Sequence, residues 1–238
     1  MSSAVLAAEA QLARSGPRLP MPLPTALDAS IGESLPGSAL RMVWLGDSTA
    51  AGVGASDPDG SLPRRVAAGL GRPVELVVLA RSGARIDEVL EEQLPRVAAL
   101  DPDVLIVSVG ANDVVHLTTK SRFTSRYRRL LEQLRPSVTG RSVVVLGIPD
   151  MGAPPRFPQP LRAVVGWRGR ALDHGLREAA AGRDEVRYVD IAGQTGPAMR
   201  RQPDRYFALD RYHPNEAGYG LWADAVLDVV RTLPLGTG

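Results

Sequence analysis

Residues 43–54 read VWLGDSTAAGVG, an apolar run that stops at Gly46-Asp47-Ser48 and passes into small residues. Gly, Asp and Ser are each favoured where the chain reverses, so the tripeptide by itself reads as a turn. At the tip of a buried strand the same residues also suit a nucleophilic serine, because open α/β sheets gather their chemistry at the carboxyl ends of strands. Partners elsewhere in the chain decide between the two.

Working outward, five short runs rich in Val, Ile and Leu read as strands: RMVWL (41–45), VELVVL (74–79), DVLIVSV (103–109), SVVVLGI (142–148) and VRYVDI (186–191). They show little polar alternation, as strands buried on both faces do. Amphipathic stretches at about 61–70, 86–99, 120–135 and 160–181 read as helices between them. Pro95 should kink or split the second, since its ring removes a backbone donor. A last helix follows Asn215, with Trp222, Ala225, Val226 and Val229 on one apolar face. Alternating strand and helix predicts an α/β fold around a central, mostly parallel, five-stranded sheet with right-handed crossovers.

Residues 1–40 read as separate: a short Ala-rich helical stretch leads into GPRLPMPLP, whose prolines favour an extended arm or linker. The expected domain occupies 41–238. The N-terminal MSSAVLAAEAQLARSG carries Glu9 and lacks a basic leading region, so it is not a signal peptide as written. That gives a cytoplasmic expectation, or an exported or membrane-anchored one if the arm is the remnant of a targeting segment.

The 238 residues fit one α/β domain, and a sequence 44% hydrophobic but only 5% aromatic predicts an aliphatic core. The net charge is +2, and the basic residues are almost all arginine, Lys120 being the one lysine. Without a dense basic block interleaved with aromatics, nucleic acid is a poor partner. The absence of cysteine excludes disulfides, thiol nucleophiles and thiolate metal sites. No apolar run approaches the ~20 residues that span a bilayer, which leaves membrane-surface association open. GVGASDPDG (52–60) fits neither a phosphate-binding loop nor a dinucleotide fingerprint, and Asp57 with Asp59 lacks a calcium ligand series. Neither a cofactor nor a metal is expected.

The strand ends carry the chemistry. Gly46-Asp47-Ser48 follows the first strand, ARSGAR with Gly83 the second, and Gly110-Ala111-Asn112-Asp113 the third. Pro149-Asp150-Met151-Gly152 follows the fourth and opens a Pro-rich loop to Pro160; FALDRYHPNEAGY, with Asp210 and His213, precedes the final helix. This inventory matches acyl transfer at an ester or related carbonyl. A serine hydroxyl needs a base, and histidine serves near neutral pH. A carboxylate fixes the imidazole tautomer, and Asp210, three residues before His213, is placed to do so. Asp190 is a lower-ranked rival for that role. The oxyanion of the tetrahedral intermediate needs fixed donors: the Asn112 amide and the N–H groups of Ser48 and Gly83. Asp47 reads as a turn-shaping residue, Asp113 as structural and His174 as a surface group. His116 reads as a surface or capping residue near the pocket. Arg156, Arg162, Arg168 and Arg170 read as a solvated face that could also edge the pocket or approach anionic lipid.

GDS, a lone glycine, GAND and DRYH, in that order at the strand ends, resemble the SGNH, or GDSL-type, hydrolase superfamily. The resemblance covers about residues 41–232, and the named residues of the family fall on Ser48, Gly83, Asn112 and His213, with its Asp-x-x-His block on Asp210 and His213. Thr49 departs from the leucine that many members carry. The resemblance implies a flavodoxin-like three-layer α/β/α sandwich. It also implies metal-free hydrolysis of carboxylic esters through an acyl-enzyme, with thioesters and carbohydrate acetates as alternatives. A catalytically idle lipid- or ligand-binding module is the reading from another class. Small residues near Ser48 and few aromatics favour short or medium acyl chains on a small-molecule or lipid ester. Oligomeric state is not legible.

Overall fold

In the computed structural model, residues 17, 19–20, 26–138 and 142–235 are described. Among them the strands are β1 (Ala29–Ile31), β2 (Leu40–Gly46), β3 (Val74–Val78), β4 (Val104–Ser108), β5 (Ser142–Leu146) and β6 (Val186–Val189). They form a six-stranded sheet in the order β1-β3-β2-β4-β5-β6. β1 runs antiparallel to β3 and every other pair is parallel.

The sheet thus has one strand more than the sequence predicts. Ala-Ser-Ile at 29–31 is too short to show a pattern, and it lies in the stretch read as an arm. It pairs through Ser30 with Glu75, and the neighbouring Asp28 accepts from the Val78 N–H at 2.8 Å, finishing the outer edge of β3. The Ala-rich helix expected at the N-terminus lies outside the described residues.

Burial on both faces explains the unbroken apolar runs. In β2, Met42 and Trp44 point into one core while Val43 and Leu45 point into the other. Full burial of an aliphatic side chain of this kind contributes about 1.5–3 kcal/mol. On the first face lie α1 (Leu62–Gly69), and later α6 (Ile191–Arg201), α7 (Pro203–Tyr206) and α8 (Glu216–Val230), contributing Val66, Met199, Tyr206 and Trp222. On the second lie α2 (Ile86–Glu88), α4 (Lys120–Leu134) and α5 (Leu161–Ala180), contributing Ile86, Tyr127 and Leu172. The result is the expected three-layer sandwich.

The stretch expected as one helix at 86–99 is broken as Pro95 requires: after α2 come a π-helical turn, Val89–Gln93, and a 3₁₀ turn, Leu94–Arg96. A one-turn helix, α3 (Ala111–Val115), follows β4 directly. α6 has Pro197 in its interior, which is why helix propensity left that stretch unassigned.

Candidate active site

Gly46 ends β2 hard against β4. A Cβ there would overlap the Ser108 carbonyl oxygen, so the strand can approach its neighbour only through glycine. The Asp47 N–H donates to that carbonyl at 3.1 Å. The Asp47 carboxylate turns back to accept from the Thr49 N–H at 3.0 Å and the Thr49 hydroxyl at 2.9 Å. Burial pushes the Asp47 carboxyl up, while the Thr49 bonds, the nearby His213 and the Gly110 N–H pull the other way. Glycine permits the contact, aspartate closes the turn, and serine is left at its crest. Thr49 replaces an apolar residue with a hydroxyl that the Asp47 carboxylate and, at 3.4 Å, Ser108 occupy.

The Ser48 Oγ lies 2.9 Å from Nε2 of His213, whose Nδ1 lies 2.6 Å from Oδ2 of Asp210. The other carboxylate oxygen of Asp210 accepts the N–H groups of Tyr212 and His213, both at 3.0 Å. Those two bonds wind the 210–213 turn so that acid and base share one side. Burial alone would raise the Asp210 carboxyl, but the His213 ring and the two N–H donors outweigh it and hold it below the ordinary carboxylate value. The ionised carboxylate only accepts, so Nδ1 carries the ring hydrogen and Nε2 is free to accept from Ser48. Asn215, two residues on, caps α8 by accepting from the Gly218 N–H at 3.1 Å. Tyr212 stacks edge-on against the His213 ring, centroids 4.9 Å apart.

Gly83 has φ +81°, a conformation that favours glycine, and open space where a side chain would be. Neither its N–H nor that of Ser48 has an acceptor among the described residues. Nδ2 of Asn112 donates to the Ala84 carbonyl at 3.0 Å, which fixes the amide beside the Gly83 loop. Asp113 locks the arrangement from below, accepting from the Ile86 N–H at 3.0 Å and the Thr118 hydroxyl at 2.9 Å. Ser48, Gly83 and Asn112 therefore follow β2, β3 and β4 at one end of the sheet, and the turn before α8 brings His213 and Asp210 to Ser48.

The rivals lie elsewhere. Asp190 caps α6 through the Gly193 N–H at 2.9 Å and pairs with Arg177 at 3.2 Å. His174 is a surface group pairing with Glu178. His116 is held by its ring Nδ1 to the Asn112 carbonyl at 2.9 Å.

Two contributions escaped the sequence reading. Gln93, buried, meets both the N–H and the carbonyl of Gly46 at 2.8 Å. Three of the four arginines read as a solvated face are braces: Arg168 donates to the Val114 and Thr118 carbonyls behind Asn112, and Arg162 to those of Pro155 and Phe157. Arg156 donates at 2.9 Å to the carbonyl of Asp210 and to that of Pro17. Beside Ser48 and His213 lies a narrow slot of about 30 Å³, bounded by Thr49, Met151, Ala153, Met199, Phe207 and Trp222. Among the described residues no helix is long and apolar enough to cross a membrane.

Residues 44–221 match the family model of the GDSL-like lipase/acylhydrolase family. A GDSL-like esterase of Mycobacterium tuberculosis is 31% identical over 198 residues, which cover 81% of this chain; the chain spans 62% of that relative's length. The structure of an acetyl xylan esterase from Geobacillus stearothermophilus superposes with TM-score 0.62 at 20% identity, covering 81% of this chain and 94% of that one. A phospholipase A1 from Streptomyces albidoflavus superposes with TM-score 0.62 at 21% identity, covering 82% and 99%. At such identities the two structures speak for the fold alone.

Proposed function

The chain belongs to the GDSL-like lipase/acylhydrolase family, and from that premise we propose that it is a serine carboxylic ester hydrolase working through an acyl-enzyme. The observation that carries the proposal is the unbroken line from the Asp210 carboxylate through His213 to Ser48 Oγ, at 2.6 and 2.9 Å.

Ser48 Oγ attacks the acyl carbon as Nε2 of His213 takes its proton. The carbonyl oxygen becomes an oxyanion, received by the N–H groups of Ser48 and Gly83 and by the Asn112 amide. His213 then gives the proton to the alkoxy oxygen, the ester C–O bond breaks, and the alcohol leaves. Water attacks the Ser48 ester, passes a proton to Nε2, and the acid departs as that proton returns to Oγ. Asp210 stays ionised and stabilises the imidazolium in both halves.

The test is turnover of p-nitrophenyl esters by wild type and Ser48→Ala, with circular dichroism showing that the variant folds. Turnover that disappears supports the reading; unchanged turnover in pure, folded Ser48→Ala overturns it. Removal of acetyl groups from carbohydrate is a second reading on the same machinery. The narrow slot beside Ser48 favours it, and acetyl-xylan against aryl and lipid esters separates the two.

A further inference from the structure

Resting on the serine-esterase reading, we infer that the slot beside Ser48 is the acyl pocket, and that Met199, pinned by Trp222, sets its depth and makes the enzyme selective for short acyl groups. The about 30 Å³ of the slot corresponds to two or three water-sized spheres, room for an acyl tail of a few carbons. Its walls are apolar and buried: Met151 is 2% exposed, Met199 3% and Trp222 4%.

Methionine ordinarily adapts its shape to what it meets, because it is unbranched and its thioether is soft. Here it is held. The Trp222 indole N–H points at the Met199 sulfur, 3.4 Å away, and the indole itself stands edge-on to Tyr219. One residue further along α6, Arg200 pairs with Asp150 at 2.7 Å, tying the helix to the 149–154 loop that forms the opposite wall. Floor and wall are thus coupled, and a longer chain has to break one of them.

The slot suits the acyl group rather than the alcohol because its lining beside Ser48, with Met151, Ala153, Met199, Phe207 and Trp222, is apolar and buried. The acyl group stays on Ser48 between the two halves of the reaction, whereas the alcohol must leave and water must enter. An open groove of about 660 Å³, along Gly54–Pro58 and Ala208–Leu209, shares Phe207 with the slot.

The experiment measures kcat/KM on p-nitrophenyl acetate, butyrate, octanoate and palmitate. Wild type should peak at acetate or butyrate and fall steeply by octanoate. Met199→Ala deepens the slot, and each methylene it admits is worth about four-fold, equivalent to about 0.8 kcal/mol. The octanoate-to-butyrate ratio should therefore rise about ten-fold or more, while Met199→Leu keeps the wild-type ratio. Ala153→Leu fills the slot from the other wall and should depress butyrate against acetate about ten-fold, which keeps the inference testable if Met199→Ala does not fold. A wild-type profile flat through octanoate, or unchanged ratios in folded Met199→Ala and Ala153→Leu, overturns the pocket assignment and leaves the esterase standing. Failure of wild type on all four of these esters and on acetyl-xylan overturns the serine-esterase reading, and the pocket with it.

Discussion

Gln93 grips the backbone of Gly46 with both ends of its side-chain amide, accepting from the N–H and donating to the carbonyl, each at 2.8 Å. Gly46 lies two residues before Ser48 at the end of β2, so this buried side chain continues the sheet where β3 has ended and holds the nucleophile turn in place. Gln93→Leu keeps the volume and deletes both bonds, leaving the Gly46 N–H buried without a partner. That costs about 1–3 kcal/mol, a fall in Tm of about 2–4 °C per kcal/mol for a chain of this size. The residue touches no substrate, so kcat should fall while KM holds, and Gln93→Glu, which still accepts from the N–H, should recover part of both losses. Wild-type melting and kinetics in Gln93→Leu would remove it from the positioning of Ser48.

Asp113 should make stability depend on pH. Burial raises its carboxyl from 3.8 to about 6, against the bonds from Ile86 and Thr118 and the charge of Arg85. The folded protein keeps this proton up to about pH 6 while the unfolded chain releases it near pH 4. Its contribution is therefore fully present below about pH 4 and lost as pH rises through 6. The displacement corresponds to about 3 kcal/mol. Asp113→Asn, which still accepts from Ile86, removes the titration. Urea unfolding across about pH 4 to 7 should show the variant gaining on wild type as pH rises, and parallel curves would exclude Asp113 as the cause.

Asn112 donates one amide hydrogen to the Ala84 carbonyl, which leaves the other for the oxyanion. Asn112→Ala should lower kcat by about 10²–10³ with little change in KM, since the lost bond strengthens only as charge develops on the oxygen. A kcat within a few-fold of wild type takes the amide out of the hole.

The sequence exposes what depends on local chemistry. The parallel strands are legible because burial on both faces forces apolar runs, and the contact of Ser48 with His213 and Asp210 because a serine at a strand end needs a base and an acid that only the DRYH stretch offers at the right spacing. Gln93 is illegible because it sits in a helical stretch where glutamine ordinarily faces water, and only the π turn and the break at Pro95 bring it to Gly46. β1 escapes because three residues carry no period, and α6 because Gly193, Gly196 and Pro197 depress a helix that tertiary packing sustains. The braces from Arg156 and Arg168 escape for a different reason: their partners are carbonyl groups far along the chain, 54 and 50 residues away for Arg168.

Asp210→Asn isolates the tautomer. In wild type one carboxylate oxygen takes the N–H groups of Tyr212 and His213, and the other faces Nδ1 of the ring. The two backbone donors require an acceptor, so in the variant the amide oxygen must stay with them and the NH₂ must fall opposite Nδ1. That NH₂ can only donate. Nδ1 then becomes the acceptor, the ring hydrogen moves to Nε2, and Nε2 points it at Ser48 Oγ instead of accepting from it. The turn keeps its backbone bonds, so the variant should remain folded, while kcat falls by about 10⁴. The measurement is kcat on the best p-nitrophenyl ester beside a thermal melt. A folded variant within ten-fold of wild type would mean that His213 takes its tautomer from some other group, and that Asp210 serves the turn rather than the base.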